Sequence, residues 1–218
     1  MPSNTQKEFL AEASGRYEKA LKGNAYAESY LAKRFGDRWQ DSARLFQLGV
    51  VADPLPGHEQ YKGMLSIPYC APYGIVGIKF RCLLDHDCKS VHKTRYMNPP
   101  GQGQRLYNTT DLFRTEDYIA VAEGEIDAQT SHLAGIPTVG APGAGSWKDA
   151  FTRMIRGYEV VYIYADNDDD GVGLEKFANP LADKLRGSRV ILLPKGHDVN
   201  SFVVENGYDA LRQLLGVD

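Results

Sequence analysis

The 218-residue chain has little that suits a membrane or a secreted protein. No stretch approaches the roughly 18 to 20 unbroken apolar residues of a membrane helix. The opening segment MPSNTQKEFLAEASGRYEKA lacks the apolar core of a secretion signal, so a cytoplasmic protein with no membrane partner is expected. Cysteine is scarce: Cys70, Cys82 and Cys88 are odd in number and give no disulfide framework, which fits a reducing compartment. Cys82, His86, Cys88 and His92 do lie near one another in sequence. Their spacing has no C-x-x-C knuckle, however, so they read as hairpin residues and zinc is not expected.

Net charge is small as well, at −3, but the two halves of the chain differ. Residues 1–113 hold 15 Lys and Arg against 11 Asp and Glu, and residues 114–218 hold 10 against 17. Within the first half, Lys79, Arg81, Lys89, Lys93, Arg95 and Arg105 are offset only by Asp85 and Asp87 between residues 79 and 105. A basic segment and an acidic one in a single chain suit a polyanionic substrate: Lys and Arg neutralise phosphates while carboxylates hold cations.

The apolar pattern predicts two kinds of architecture. Residues 5–35 return Phe9, Leu10, Tyr17, Leu21, Tyr30 and Leu31 at helical spacing, with a break near Gly23. From 47 to 81 short β-prone runs (LGVV, MLSIPY, GIVGIKFR) alternate with turn residues, and the polar stretch 85–104 ends in NPPGQGQ. After residue 113 strands and helices alternate. Strands are expected at 118–122, 138–139, 160–164 and 190–193, and helices at 126–133, 147–155, 173–185 and 208–215. The fold class is therefore α/β, a mainly parallel sheet flanked by helices (114–218), preceded by a smaller mixed α+β basic subdomain (1–113).

On such sheets ligands sit at the C-terminal ends of the strands, and this rule selects the residues that matter. The first strand runs into Glu123, the third into Asp166-Asn167-Asp168, and the fourth is followed by Asp198. Asp127 follows Glu123 by four residues and can face the same edge from the first helical turn, with Gly124 leaving room for the turn. Carboxylates gathered in this way repel one another without cations. Hard oxygen donors with no accompanying His or Cys select Mg2+ or Mn2+, and two or more such ions suit phosphoryl transfer.

Two competing readings fail on sequence. Asp166, Asp168, Asp170 and Gly171 copy half of an EF-hand loop, but Phe177 stands where a bidentate Glu is required and an apolar strand precedes the loop. The loop GAPGAGSWK lacks the Gly-Lys-Ser/Thr ending of a P-loop and the G-x-G-x-x-G of a dinucleotide fold.

VAEGEIDA, YADNDDDG and KGHDVNSFV resemble the three motifs of the TOPRIM domain shared by bacterial-type primases, topoisomerases and some nucleases. Asn200 departs from the second aspartate that many cellular primases carry in the third motif. MLSIPY, GIVGIKFR, TRYMNPPG and RLYN resemble the basic subdomain that precedes TOPRIM in DnaG-type primases. The resemblance spans roughly residues 25–218 and implies a catalytic core of phage type. Such a core copies a single-stranded DNA template into short primers from nucleoside triphosphates, in the host cytoplasm, with a replicative helicase as a further partner. It assigns metal to Glu123, Asp127, Asp166, Asp168 and Asp198, with Glu123, Asp166 and Asp168 catalytic. It assigns template or nucleotide contacts to Arg81, Lys93, Arg95, Tyr96, Asn98 and Arg105. No segment resembles the N-terminal zinc ribbon or the helicase-binding domain of cellular primases, so a catalytic core alone is expected. A TOPRIM nuclease using the same cations and a non-catalytic single-strand-binding accessory are the rival readings.

Overall fold

The computed structural model describes residues 2–91, 94–143, 145–167, 171 and 173–217. Lys93, Asp168 and His92 lie outside the described residues. The chain divides into two compact units, the first running to Gly103 and the second starting at Gln104.

In the first unit α1 (Asn4–Leu21) starts on a capping box, in which Ser3 and Gln6 each accept the other's backbone N–H. Gly23, at φ +82°, turns the chain into the Asn24 cap of α2 (Ala25–Phe35), where the sequence signals a break. A further short helix, α3 (Trp39–Leu45), has too few turns to show a period in sequence. Then come β1 (Gly49–Val50), β2 (Leu65–Ala71), β3 (Gly74–Arg81), the single turn α4 (Cys88–Val91) and β4 (Tyr96–Met97). The four strands form an antiparallel sheet in the order β1-β2-β3-β4.

The core beneath α1 mixes aliphatic side chains with a group of aromatic rings. Tyr61 stacks on Phe80 with centroids 4.1 Å apart, and Tyr17 reaches His58 Nδ1 at 2.9 Å while accepting from Leu55 N at 3.1 Å. Helix and sheet meet without an intervening side chain at one point. A Cβ on Gly49 would lie 2.3 Å from the Tyr17 carbonyl carbon.

The second unit alternates as its pattern predicts. β5 (Tyr118–Ala122), α5 (Glu125–Leu133), β6 (Thr138–Gly140), α6 (Asp149–Ile155) and β7 (Val160–Ala165) lead into a π-helical turn (Gly173–Ala178). This is followed by α7 (Asn179–Ala182), β8 (Ser188–Leu192), α8 (Val199–Asn206) and α9 (Tyr208–Leu215). The sheet is parallel throughout, in the order β6-β5-β7-β8. Ile119, Val121, Val161 and Ile163 share one core with Phe151, Phe177, Leu181 and Leu185. Residues between them in sequence serve the other face, where Tyr164 meets Ser131 of α5 at 2.8 Å.

Three expectations change. The helix expected over 173–185 is a π turn and a short α-helix, because Pro180 at the start of α7 has no N–H to continue an α-helical ladder. Helix α8 stands where no helix was expected. The boundary falls between Gly103 and Gln104, not after 113, because Tyr107 bridges Gly140, Asn108 Nδ2 donates to Thr138 O at 2.9 Å and Asp111 accepts from Thr138 N at 2.8 Å. Residues 104–113 are thereby tied to β6. No helix among the described residues is long and apolar enough to cross a membrane.

Gly49→Ala should lower the unfolding free energy by about 3 kcal/mol, since backbone has to move to admit the methyl group. Gly15→Ala, in α1 with open space at its Cβ position, should raise it by about 0.5 to 1 kcal/mol. Urea unfolding of the two variants checks both signs.

Candidate active site

Parallel strands deliver the acidic residues to one edge. β5 ends at Ala122, so Glu123 and then Gly124, the N-cap of α5, sit at the strand end. Gly124 is extended (φ −138°, ψ 176°), so the turn does not call on a positive φ. A Cβ there would lie 3.4 Å from Asp127 Oδ2, an ordinary contact, which places that carboxylate against the strand end without requiring glycine. The first turn of α5 therefore carries Asp127 next to Glu123, where the unpaired helical N–H groups also favour negative charge.

Asp166 follows β7 directly, and Asn167 ties its loop to the next one. Asn167 Nδ2 donates to Leu193 O at 2.8 Å and its backbone N–H to His197 O at 3.1 Å, while Gly196 N donates to Asn167 O at 2.7 Å. The loop carrying Asp198 is thereby held beside Asp166. Asp198 caps α8, accepting from Ser201 N at 2.6 Å, so one of its oxygens serves the helix. Asn200, which departs from the aspartate of cellular primases, is buried and does a different job. Its Nδ2 donates to Thr130 Oγ1 at 2.8 Å and its backbone N–H to Asp127 Oδ1 at 3.1 Å, which locks α8 to α5 and fixes the Asp127 carboxylate.

Sequence reasoning did not single out Gly173. A Cβ at this position would lie 2.5 Å from Asp166 O and 2.8 Å from Asp166 N, so only glycine lets the π turn pass behind the strand end. The signal was present in the second glycine of DDDGVG, but a Gly-rich loop does not disclose what it passes against.

The electrostatic result is a surplus of negative charge. Burial, then the charges of Asp127, Glu123 and Asp198 and a hydrogen bond with Glu123, push the Asp166 carboxyl up to about 9. A proton partly compensates that charge, and a divalent cation would compensate it more fully. The donors are hard oxygens, so Mg2+ or Mn2+ fits them. Among the described residues the one tight cluster of metal-ligand side chains lies elsewhere, in the first unit. The carboxylates are instead distributed along the edge.

The other expected contacts divide between the units. In the first, Arg81 is buried, with its guanidinium 4.4 Å from the Tyr30 ring centroid. Its Nε donates to Tyr96 Oη at 3.0 Å and its Nη1 to Cys82 O at 3.2 Å. Arg81 and Tyr96 are thus brought together, and Arg81 is held within the fold. Arg95 is exposed, and the Asn98 side chain accepts from Gln102 Nε2 at 3.2 Å. Arg105 belongs to the second unit, where its Nε is buried without a hydrogen-bond partner among the described residues.

A Toprim-like family model matches residues 120–203, which contain all of these carboxylates. The Gene 57 protein of Mycobacterium phage D29 is 44% identical over 160 residues, covering 71% of this chain and 99% of that protein. The DNA primase of Aquifex aeolicus is 26% identical across 91% of this chain and 46% of its own length. This chain belongs to the DnaG-type primase family, with a TOPRIM domain. The fold agrees: the RNA polymerase domain of Mycobacterium tuberculosis primase DnaG superposes with a TM-score of 0.76 at 24% identity, covering 99% of this chain and 84% of that one. The chain spans under half the length of the Aquifex family member.

The raised carboxyl fixes the sign of a pH effect. The folded state keeps the Asp166 proton up to about pH 9, whereas an unfolded aspartate loses its proton near pH 4. Without divalent cation, stability should fall as pH rises through that window. Asp166→Asn should therefore melt roughly 2 °C or more above the unsubstituted protein at pH 8 in EDTA, and the gap should close below about pH 4. Added Mg2+ should raise the melting temperature of the unsubstituted protein alone.

Proposed function

We propose that the protein is a primase core that joins nucleoside triphosphates into short primers on single-stranded DNA, in the host cytoplasm, beside a replicative helicase. The observation that carries the reading is Asp166 at the end of β7, under the combined charge of Glu123, Asp127 and Asp198, in a chain of this family. Asp166, Asp127 and Asp198 would hold two or more Mg2+ or Mn2+ ions, with Asp168 as a further ligand. Bound ions of this kind supply charge neutralisation at the transferring phosphate and lower the pKa of an attacking hydroxyl.

The chain's own groups do the positioning. Glu123 orients the primer 3'-hydroxyl and accepts its proton at a carboxylate oxygen. Asn200 keeps the Asp127 carboxylate aimed through its backbone N–H. Arg95 and Lys93 bind template or triphosphate phosphates, Tyr96 and Asn98 offer a stacking face and an amide, and Arg105 directs its guanidinium to a phosphate. Arg81 supports this set by orienting Tyr96. Such positioning and charge compensation account for most of the rate enhancement in phosphoryl transfer, so no covalent intermediate is needed.

The decisive assay follows labelled nucleoside triphosphates into product on unprimed single-stranded DNA with Mg2+ or Mn2+. Products a few nucleotides long are expected. Asp166→Ala should lose synthesis by roughly a thousandfold or more while keeping its circular dichroism, and retained synthesis would sink the assignment. Arg95→Ala should raise the KM for template or triphosphate about tenfold, equivalent to roughly 1.4 kcal/mol. Shortening of the DNA in place of synthesis would point to the nuclease, and binding without chemistry to the accessory.

A further inference from the structure

One cluster takes no part in the carboxylate chemistry. The connection from β3 to β4 is closed at its base by Cys82 N donating to Arg95 O at 2.9 Å. Inside the loop the backbone turns at Asp87, whose Oδ1 accepts from Lys89 N at 3.0 Å and whose carbonyl accepts from Ser90 N at 3.2 Å and Ser90 Oγ at 2.8 Å. This turn brings Cys88, at the start of α4, back onto Cys82. Cys82 Sγ lies 3.1 Å from His86 Nε2, and the ligand atoms of Cys82, His86 and Cys88 all fall within 4.8 Å of one another. Both cysteines are buried, His86 is half-buried, and neither thiol is in a disulfide.

Zinc–sulfur bonds of about 2.3 Å and zinc–nitrogen bonds of about 2.0 Å in a tetrahedron put the donor atoms roughly 3.5 to 3.8 Å apart. The 3.1 Å separation of Cys82 Sγ and His86 Nε2 lies just under that range, and the 4.8 Å limit on the other pairs includes it. The chemistry differs from that at the strand ends, since two thiols and an imidazole are soft donors that prefer Zn2+ to Mg2+. A C-x-x-C knuckle, whose absence argued against zinc in the sequence, is only one way to converge two thiols. The turn at Asp87 does the same over a C-x3-H-x-C spacing.

We propose that Cys82, His86 and Cys88 form a Zn2+ site that clips the β3–β4 connection. Three protein donors leave the fourth corner of the tetrahedron to water or another donor. The clip stabilises a segment that carries proposed substrate contacts: Arg81 Nη1 donates to Cys82 O, Cys82 is paired with Arg95, and Tyr96 comes next. Burial, with the Cys88 thiol beside it, pushes the Cys82 thiol up against the pull of Arg95. Metal binding would therefore release a proton there.

The test is metal content and cobalt spectroscopy on the full chain, purified under reducing conditions and reconstituted with Zn2+ or Co2+. One zinc per chain is expected after removal of loosely bound metal, and a thiolate-to-cobalt charge-transfer band should appear in the near ultraviolet. Cys88→Ser and His86→Ala should each weaken zinc binding by roughly tenfold or more, and the Cys88→Ser change should dim the band. Asp166→Asn should leave both zinc and band unchanged, which separates this site from the carboxylates. Should the cysteine variants fail to fold, alkylating the thiols of the native, metal-stripped protein and titrating Co2+ gives the same reading. No bound zinc after reconstitution, zinc retained without both cysteines, loss of zinc in Asp166→Asn, or a Cys82–Cys88 disulfide in the freshly isolated reduced-buffer protein would each overturn the proposal.

Discussion

Repulsion among half-buried carboxylates is the constraint on which the second unit depends. Four acidic groups brought to one sheet edge oppose folding until a proton or a cation compensates them, and the raised Asp166 carboxyl records that opposition. Much of the surrounding architecture serves to hold the groups in place despite it. Asn167 ties two loops together, Asn200 locks α8 to α5 while donating to Asp127, Asp198 is anchored by its capping box, and Gly173 lets the π turn close behind the strand. These devices act through backbone groups and amide side chains rather than through opposite charges. The stability forgone at this edge is what a bound cation would return.

Behind the edge lies a polar layer that keeps α5 rigid. His132 meets Asp111 at 2.9 Å, Asp111 accepts from Thr138 N, Thr138 Oγ1 donates to Ser131 Oγ at 2.7 Å, and Gln129 Nε2 donates to Tyr107 Oη at 2.7 Å. These groups are largely buried and satisfy one another, so the network specifies one position for the helix whose first turn holds Asp127. It also explains why residues 104–113 belong to this unit, since Asp111 and Tyr107 are integral to the network. The first unit follows a different logic, with a mixed aliphatic and aromatic core under α1 and a short antiparallel sheet whose last connection gathers arginine, tyrosine and thiol side chains.

Much of the second unit was legible in the amino-acid order because its signals are local. Continuous apolar runs mark buried parallel strands, and acidic residues immediately after them fall at the ligand-binding edge by a general rule of topology. Glu123, Asp127, Asp166 and Asp198 follow from that rule, and the motif resemblance agrees with it. The basic candidates were less legible. Arg81 reads as a template or nucleotide contact in sequence but is enclosed by Tyr30 and Tyr96, because an alternating strand with a lone arginine does not reveal what stacks on it.

By itself, the sequence determined the parallel sheet, the placement of acidic residues at its strand ends, the break at Gly23 and the hard-oxygen character of the donors gathered there. Those follow from periodicity, strand length and donor chemistry, which act within a few residues. Only the tertiary structure decided that Asn200 supports Asp127, that Gly173 must be glycine, that residues 104–113 belong with the second unit, and that Cys82, His86 and Cys88 converge. Each of these depends on atoms far apart in sequence, or on the course of a turn, coming within a few ångströms of one another. Spacing along a chain carries no measure of that distance until the fold has set it.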